Sequence, residues 1–261
     1  MCGIAGYSLT EGSTLDPYRA ARVLLASVAE RGADAAGCAY VGDDGVIVHK
    51  QPGGASRFLE QFAIPHDLRQ VLLHVRDHTK GRPSLAANNH PIRHGSIVGV
   101  HNGRIDNDEA IFARLGCGRA EDGMTVDSEA IFALLNMSGC PTEALPQLRG
   151  SLAVGWFDEE RPAHVFLARG YGRPLWIAST DDGDLLWAST LEALEIVEDF
   201  LRIRLHKRPL APGTIHEIAG GSIVSTLRFT PDRTATWLLN PATSPEERTA
   251  CLAKMRVQAA S

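Results

Sequence analysis

The amino-terminal segment constrains the fold of this chain more than any other. Met1–Leu9 is short and apolar, and it predicts a buried strand that begins at the terminus. Gly3 and Gly6 in this segment allow backbone or a substrate to approach the strand closely. Cys2 therefore stands at the start of a buried strand.

Cys2, directly after the initiator Met, is a candidate nucleophile. The thiolate is the reactive form of cysteine. If Met1 is removed, the α-amine of Cys2 lies beside the sulfur and can act as the general base, as in amino-terminal threonine nucleophiles. No histidine partner is then required. Taken alone, the position has a second explanation, which is that a small residue follows Met by chance.

Composition and charge narrow the function classes. The 261 residues are enough for one large domain or two small ones, and 44% hydrophobic with 22% charged residues is ordinary globular composition. A formal net charge of -5 gives no electrostatic reason to expect a nucleic acid or an anionic membrane as partner. The apolar runs are far shorter than a membrane span, and the amino terminus does not resemble a signal peptide. Five scattered cysteines favour reduced thiols and a cytoplasmic location.

The order of predicted elements indicates an α+β fold. We expect helices after Asp16-Pro17, after the capping-box pattern Asp106–Glu109 and from about Asp127. Strands are expected on both sides of a turn at 42–45, at 71–75 and 96–100 with an irregular loop between them, and repeatedly from residue 150 to residue 226. Strands, then helices, then more strands are typical of α+β layers and not of a doubly wound sheet.

Seven motifs follow one another along the chain in a fixed order. They are Met1–Tyr7, Arg31-Gly32-x-Asp34-x-x-Gly37, His74–Gly81 continuing into Asn89-His90-Pro91, His101–Asn107, Asp127-Ser128-Glu129, Gly150–Val154, and Ala168-Arg169 with Gly172-Arg173-Pro174-Leu175. Together they resemble the class II glutamine amidotransferases, in particular the glutaminase domains of glucosamine-6-phosphate synthase and amidophosphoribosyltransferase. The resemblance covers about residues 2–220, and seven ordered matches are far more specific than a single motif.

The resemblance implies a role for each candidate site residue. Cys2 would attack the side-chain amide of L-glutamine, and Asn102 and Gly103 would stabilise the oxyanion that forms. Arg76 would bind the α-carboxylate of the substrate, and Asp127 would bind its α-ammonium group. These residues also have structural explanations. Asn-Gly is a strong hairpin-turn pattern, and Asp127 can be a helix cap. Arg76 can form a surface ion pair or lie at the edge of the core.

Thr79 is a weaker candidate for contact with the backbone of the substrate. The resemblance implies no cofactor and no metal. His74, His78, His90 and His94 form two pairs at a four-residue spacing, which is a weak metal-site pattern. Gly81, Pro83, Pro91 and Gly95 argue against a helix that would place each pair on one face.

The implied fold is a four-layer αββα sandwich of the N-terminal-nucleophile hydrolase type, with Cys2 at the start of a central strand. We expect a glutaminase domain over residues 2–230 and a carboxy-terminal tail over 231–261, in which Ser244–Glu247 opens a short helix. The tail leaves no room for an acceptor domain. Ammonia is therefore expected to go to a separate synthetase or transferase, with Trp237-Leu238-Leu239 as one segment of the contact surface or of the core.

Two positions depart from the pattern of glucosamine-6-phosphate synthase. Asp77 stands where that pattern has an aromatic residue that helps to close the ammonia path, and Lys80 stands where it has a histidine. Two further interpretations stay open at this point. One is an amidohydrolase that cleaves another γ-glutamyl amide without ammonia transfer, and the other is a non-catalytic regulatory subunit.

Overall fold

The computed structural model of the protein describes residues 2–61, 64–235 and 242–258. Trp237-Leu238-Leu239, the proposed contact segment, lies outside these ranges. Two antiparallel sheets form the centre of the described part of the chain. The strands of the first sheet are β1 (Gly3–Ser8), β2 (Ala35–Gly42), β3 (Gly45–Pro52), β4 (Gln70–Arg76), β9 (Trp176–Ser179), β10 (Leu185–Ala188) and β11 (His206–Pro209). The strands of the second sheet are β5 (Ile92–His94), β6 (Ile97–Ile105), β7 (Gly150–Asp158), β8 (Val165–Arg169), β12 (Thr214–Ala219) and β13 (Ser222–Arg228).

Helices cover the outer face of each sheet. The described helices are α1 (Pro17–Val28), α2 (Ala55–Gln61), α3 (Asp108–Leu115), α4 (Glu129–Ser138), α5 (Pro141–Ala144), α6 (Leu191–Leu201) and α7 (Pro245–Gln258). Apolar side chains of α1, α2, α6 and α7 pack on the first sheet, and those of α3, α4 and α5 pack on the second. A third apolar cluster fills the space between the sheets. The predicted four-layer αββα sandwich is confirmed.

β1 is a central strand, with β4 on one side and β10 on the other. Ile4 of β1, Leu72 of β4 and Val100 of β6 all point into the layer between the sheets. Because side chains alternate along a strand, Arg76 lies on the same face of β4 as Leu72, and Asn102 lies on the same face of β6 as Val100. Residues from both sheets therefore meet at the end of the sandwich where β1 begins.

Local sequence chemistry accounts for the first helix. The Asp16 carboxylate accepts a hydrogen bond from the backbone N–H of Arg19 at 3.1 Å, and Pro17 occupies the first helical position. The predicted capping box before α3 forms differently. Asn107 precedes the helix, but its side chain accepts from the backbone N–H of Arg149 at 2.9 Å and donates to the carbonyl of Gln147 at 2.9 Å. Tertiary partners have replaced the local cap, while the helix begins where it was expected.

The helix α7 begins at Pro245, as the sequence predicts, and it packs on α1 and α2. The carboxylate of Glu247 accepts hydrogen bonds from the backbone N–H and the hydroxyl of Ser56, at 3.0 and 3.1 Å. Gly54 lies so close that a Cβ atom there would be 2.3 Å from the carboxyl carbon of Glu247. The described part of the tail is therefore attached to the helical layer over the first sheet.

Candidate active site

Cys2 lies partly buried directly before β1. Neighbouring groups contact its carbonyl and its sulfur, and nearby charges change the pKa of its thiol. Its Sγ atom is 3.5 Å from the backbone oxygen of Asp77, and its own carbonyl accepts a hydrogen bond from Nε of Arg31 at 2.9 Å. Burial raises the pKa of the thiol, while the positive charges of Arg76 and Arg31 act in the opposite direction. The thiol is thus held at a fixed place beside two guanidinium groups.

Arg76 ends β4 with a side chain that is only 2% exposed. Its Nη1 donates to Oδ1 of Asn89 at 2.6 Å, and its Nη2 donates to the carbonyls of Lys80 and Gly81, each at 2.7 Å. These bonds use three of the five N–H donors of a guanidinium group. The alternative of a surface ion pair is wrong, because the side chain is buried and its hydrogen bonds go to neutral groups. These bonds fix the orientation of the Arg76 guanidinium group and leave some of its N–H donors for a ligand.

Asn102 and Gly103 lie inside β6, so the alternative of a hairpin turn is wrong. Asn102 is completely buried, and neither polar atom of its side chain has a hydrogen-bond partner within the described ranges. Gly103 has a φ of 156°, and a Cβ atom there would lie 2.0 Å from the carbonyl oxygen of Ser151. Only glycine fits this position without displacing β7. A buried amide without a partner is costly and is characteristic of a site that a ligand or water completes.

Asp127 lies two residues before α4 and is almost completely buried. Its Oδ2 atom accepts a hydrogen bond from the backbone N–H of Ile105 at 2.6 Å. Burial raises the pKa of this carboxyl group, and the Ile105 bond opposes that shift. The charge of Asp127 also acts on both Cys2 and Arg76. The three predicted residues therefore share one electrostatic environment.

Thr79 differs from the other candidates, because it lies exposed on the loop after β4. Its contact with the substrate backbone stays a prediction. Three residues hold the site together that received no role from the sequence. Arg31 and Asp34 belong to the second motif, and Asn89 belongs to the continuation of the third. Asp34 accepts from the backbone N–H of His78 at 2.8 Å, and its own N–H donates to the carbonyl of Arg76 at 2.9 Å. Membership of the Arg31–Gly37 motif was the only sequence indication for the first two.

The four histidines of the spaced pairs lie in three separate places. His74 and His90 stack with ring centroids 4.2 Å apart. His78 contacts Asp34 through Nδ1 at 2.5 Å, and His94 contacts Glu129 at 3.0 Å. Within the described ranges, no group of three or more histidine, cysteine or carboxylate side chains could hold a metal ion.

Comparison with known proteins agrees with this geometry. A family model described as a glutamine amidotransferase domain matches residues 74–196. Glutamine–fructose-6-phosphate aminotransferase of Shigella flexneri is 30% identical over 214 residues, which is 77% of this chain and 34% of that protein. The enzyme of the same name from Bacillus spizizenii is 26% identical over 215 residues, or 78% of this chain and 34% of that protein.

The chain belongs to the class II glutamine amidotransferase family. Among solved structures, the fold of this chain resembles glutamine phosphoribosylpyrophosphate amidotransferase from B. subtilis, with a TM-score of 0.70, 20% identity, and coverage of 88% of this chain and 49% of the other. A structure described as the allosteric regulatory enzyme of purine biosynthesis matches with a TM-score of 0.72 at the same identity and coverage.

The chain spans about one third of the length of the curated relatives that it matches. In the part of the chain that the structure describes, every helix is too short or too polar to cross a membrane.

Proposed function

We propose that this chain hydrolyses the side-chain amide of L-glutamine and that an acceptor enzyme on another chain uses the ammonia. The Cys2 thiolate attacks the Cδ carbon, the C–N bond breaks, and ammonia leaves with a proton from the catalytic base. Water then hydrolyses the γ-glutamyl thioester, which restores the thiol and releases glutamate.

The convergence of Cys2, Arg76 and Asp127 at one end of the two sheets carries this proposal. A free α-amino acid has a carboxylate and an ammonium group on one carbon, and the site offers the cation of Arg76 and the anion of Asp127 beside the nucleophile. Arg76 binds the α-carboxylate through its remaining N–H donors. Asp127 accepts the α-ammonium group through the carboxylate whose charge already reaches Cys2.

The unpartnered side chain of Asn102 supports the second half of the mechanism. Its Nδ2 donor and the backbone N–H of Gly103 stabilise the oxyanion of the tetrahedral intermediate. A buried amide with no partner costs free energy in the ligand-free protein, and the developing negative charge supplies the missing acceptor. Removing one such donor slows acyl transfer by about 100- to 1,000-fold in enzymes of this type.

The base in this proposal is the α-amine of Cys2, which is available only after Met1 has been removed. Burial disfavours the thiolate of Cys2 in the ligand-free protein. Because the amine belongs to the same residue as the sulfur, it can take the thiol proton as the carboxamide approaches. The same amine then protonates the departing ammonia.

Ammonia is released at the end of the sandwich where β1 begins. We place the acceptor site there, on a synthetase or transferase that docks over the Cys2 end. The five free cysteines fit the reduced, cytoplasmic setting that the sequence predicts.

The test is glutamate release from L-glutamine by purified protein whose Met1 removal has been confirmed by intact mass. We expect release by the wild type and none by Cys2→Ala. Cys38→Ala is the matched control, since Cys38 is completely buried in the layer on the other face of the first sheet. If processed wild-type protein and Cys2→Ala release glutamate at the same rate, the proposed nucleophile is wrong.

A further inference from the structure

The loop after β4 lies across the nucleophile and is attached on one side to the first sheet. The backbone oxygen of Asp77 is 3.5 Å from the Cys2 sulfur. The next residue, His78, is bonded through its backbone N–H and its ring to the carboxylate of Asp34, at 2.8 and 2.5 Å. Asp34 precedes β2, so this attachment fixes only one side of the loop.

Lys80 attaches the opposite side of the loop to the helical layer over the second sheet. Its ammonium group lies 2.5 Å from Oδ2 of Asp108 and 3.0 Å from Oε1 of Glu109, at the first two positions of α3. Arg119 reaches the same two carboxylates at 3.1 and 3.0 Å. Asp108 is buried, whereas Glu109 is exposed. The lysine head group therefore occupies an acidic site shared with a second cation.

The backbone of the same residue continues to the substrate-binding arginine. The carbonyls of Lys80 and Gly81 both accept hydrogen bonds from Nη2 of Arg76. The position of the Lys80 side chain thus fixes the two carbonyls that orient the guanidinium group. A direct path of bonds runs from α3 through Lys80 to Arg76.

We propose that Lys80 is a positioning residue for glutamine: it fastens the loop of residues 77–81 to α3 and thereby holds Arg76 ready for the α-carboxylate. This inference rests on the proposed function for its substrate, but the attachment itself is independent of it. Lys80 is one of the positions where this chain departs from the glucosamine-6-phosphate synthase pattern, so the attachment is a property of this chain's own residues.

The variant Lys80→Met tests the attachment without leaving the buried carboxylate of Asp108 unpaired. It keeps most of the apolar stem and removes the ammonium group, while Asp108 remains paired with Arg119. Lys80→Arg is the conservative rescue variant. Lys207→Met is the matched control, because Lys207 pairs with Glu198 in the contact between β11 and α6, on the outer side of the first sheet.

Binding of L-glutamine is measured by calorimetry in the Cys2→Ala background, where no hydrolysis occurs. We expect Lys80→Met to raise the Kd about five- to tenfold, the scale of one partly buried ion pair, and Lys80→Arg to restore most of the affinity. Lys207→Met should leave the Kd unchanged. An unchanged Kd in Lys80→Met overturns the inference, and so does a raised Kd that Lys80→Arg does not restore.

Hydrogen exchange of the ligand-free protein tests the attachment independently of glutamine binding. We expect the amides of residues 77–81 to exchange faster in Lys80→Met than in the wild type, with no change in α6. Equal exchange overturns the inference even if the Kd changes. If the folded Cys2→Ala protein does not bind glutamine at all, the proposed function fails, and the exchange result still decides the role of Lys80.

Discussion

At the scale of single residues, the candidate site contains buried polar groups that destabilise the folded protein. Asp127 is a carboxylate buried to 97%, since only 3% of the residue is exposed. Asn102 is a buried amide without a partner within the described part of the chain. Burying such groups costs free energy. A protein selected only for stability would have apolar residues here.

Asp127→Asn should separate the effect of this side chain on stability from its effect on glutamine binding. A carboxyl group whose pKa is raised in the folded state stabilises the fold below its unfolded pKa, and this contribution is lost as pH rises through the folded pKa. The ionised carboxylate therefore stabilises the fold less than the protonated one, and the asparagine oxygen can still accept a hydrogen bond from the backbone N–H of Ile105. We expect the free energy of unfolding in urea at pH 7 to be equal or higher by about 0.5 to 1 kcal/mol, with weaker glutamine binding.

The exposed Asp106 offers the control variant Asp106→Asn, in which both stability and glutamine binding should stay as in the wild type. A clear loss of stability in Asp127→Asn would show instead that its charge helps to hold the fold together.

The sequence indicated the candidate site residues but not the bonds that place them. Cys2, Arg76, Asn102 and Asp127 were candidates because they belong to ordered motifs. The bond from Arg31 to the Cys2 carbonyl and the bond from Arg76 to Asn89 join segments that meet only after the sheet and its loops have formed. Local spacing carries no information on such partners, because the loops between them have no period.

At the scale of elements, helices and strands with clear patterns were predictable. The hairpin of β2 and β3 follows from the turn residues between two apolar runs, and α1 follows from Asp16-Pro17. The helix α6 was missed, although Thr190 caps it by accepting from the N–H of Ala193 at 3.2 Å and Leu194 and Val197 are buried along one face. Both features can be read from the sequence, in which the flanking segments have the pattern of short strands.

Glu247 offers a test of how α7 is attached. Replacing it with alanine removes two hydrogen bonds to Ser56 and leaves the first N–H groups of α2 without this acceptor. We expect Glu247→Ala to lower the free energy of unfolding by about 1 to 2 kcal/mol in urea titrations. The neighbouring Glu246 is exposed, so Glu246→Ala should change stability by less than about 0.5 kcal/mol. Equal effects of the two variants would contradict the attachment.

At the scale of the whole molecule, a buried histidine joins the two sheets. His74 on β4 lies 3.1 Å from the carbonyl of His101 on β6, through its Nε2 atom. Burial is the main cause that lowers the pKa of His74 to about 3 and that of His101 to about 4, and it lowers the pKa of His90 well below its usual value. All three are neutral in the folded protein at pH 5 and above.

These histidines make the stability of the sandwich depend on pH. A base with a lowered folded pKa stabilises the fold above its unfolded pKa, about 6.5, and loses this contribution as pH falls toward the folded value. Burial also lowers the pKa of His216 to about 4. Four protons taken up on unfolding therefore predict a loss of roughly 4 to 5 kcal/mol between pH 6 and pH 5. Urea titrations at the two pH values measure it.

The control for this prediction is His66→Gln, which changes an exposed histidine and should keep the wild-type pH dependence. A variant that replaces His90 should lose about one quarter of the dependence, since one of four protons is removed. Stability that is the same at pH 6 and pH 5 would contradict the assignment of neutral, buried imidazoles.

The position of β1 between β4 and β10 has a consequence for how the protein is made. β10 begins at Leu185, so the second neighbour of β1 emerges from the ribosome long after β1 itself. At synthesis rates of about 5 to 20 residues per second, this delay is roughly 10 to 35 seconds. During that interval the strand that carries Cys2 is paired on one side at most. We expect Met1 to be removed in this interval, before the finished sandwich encloses the start of the chain.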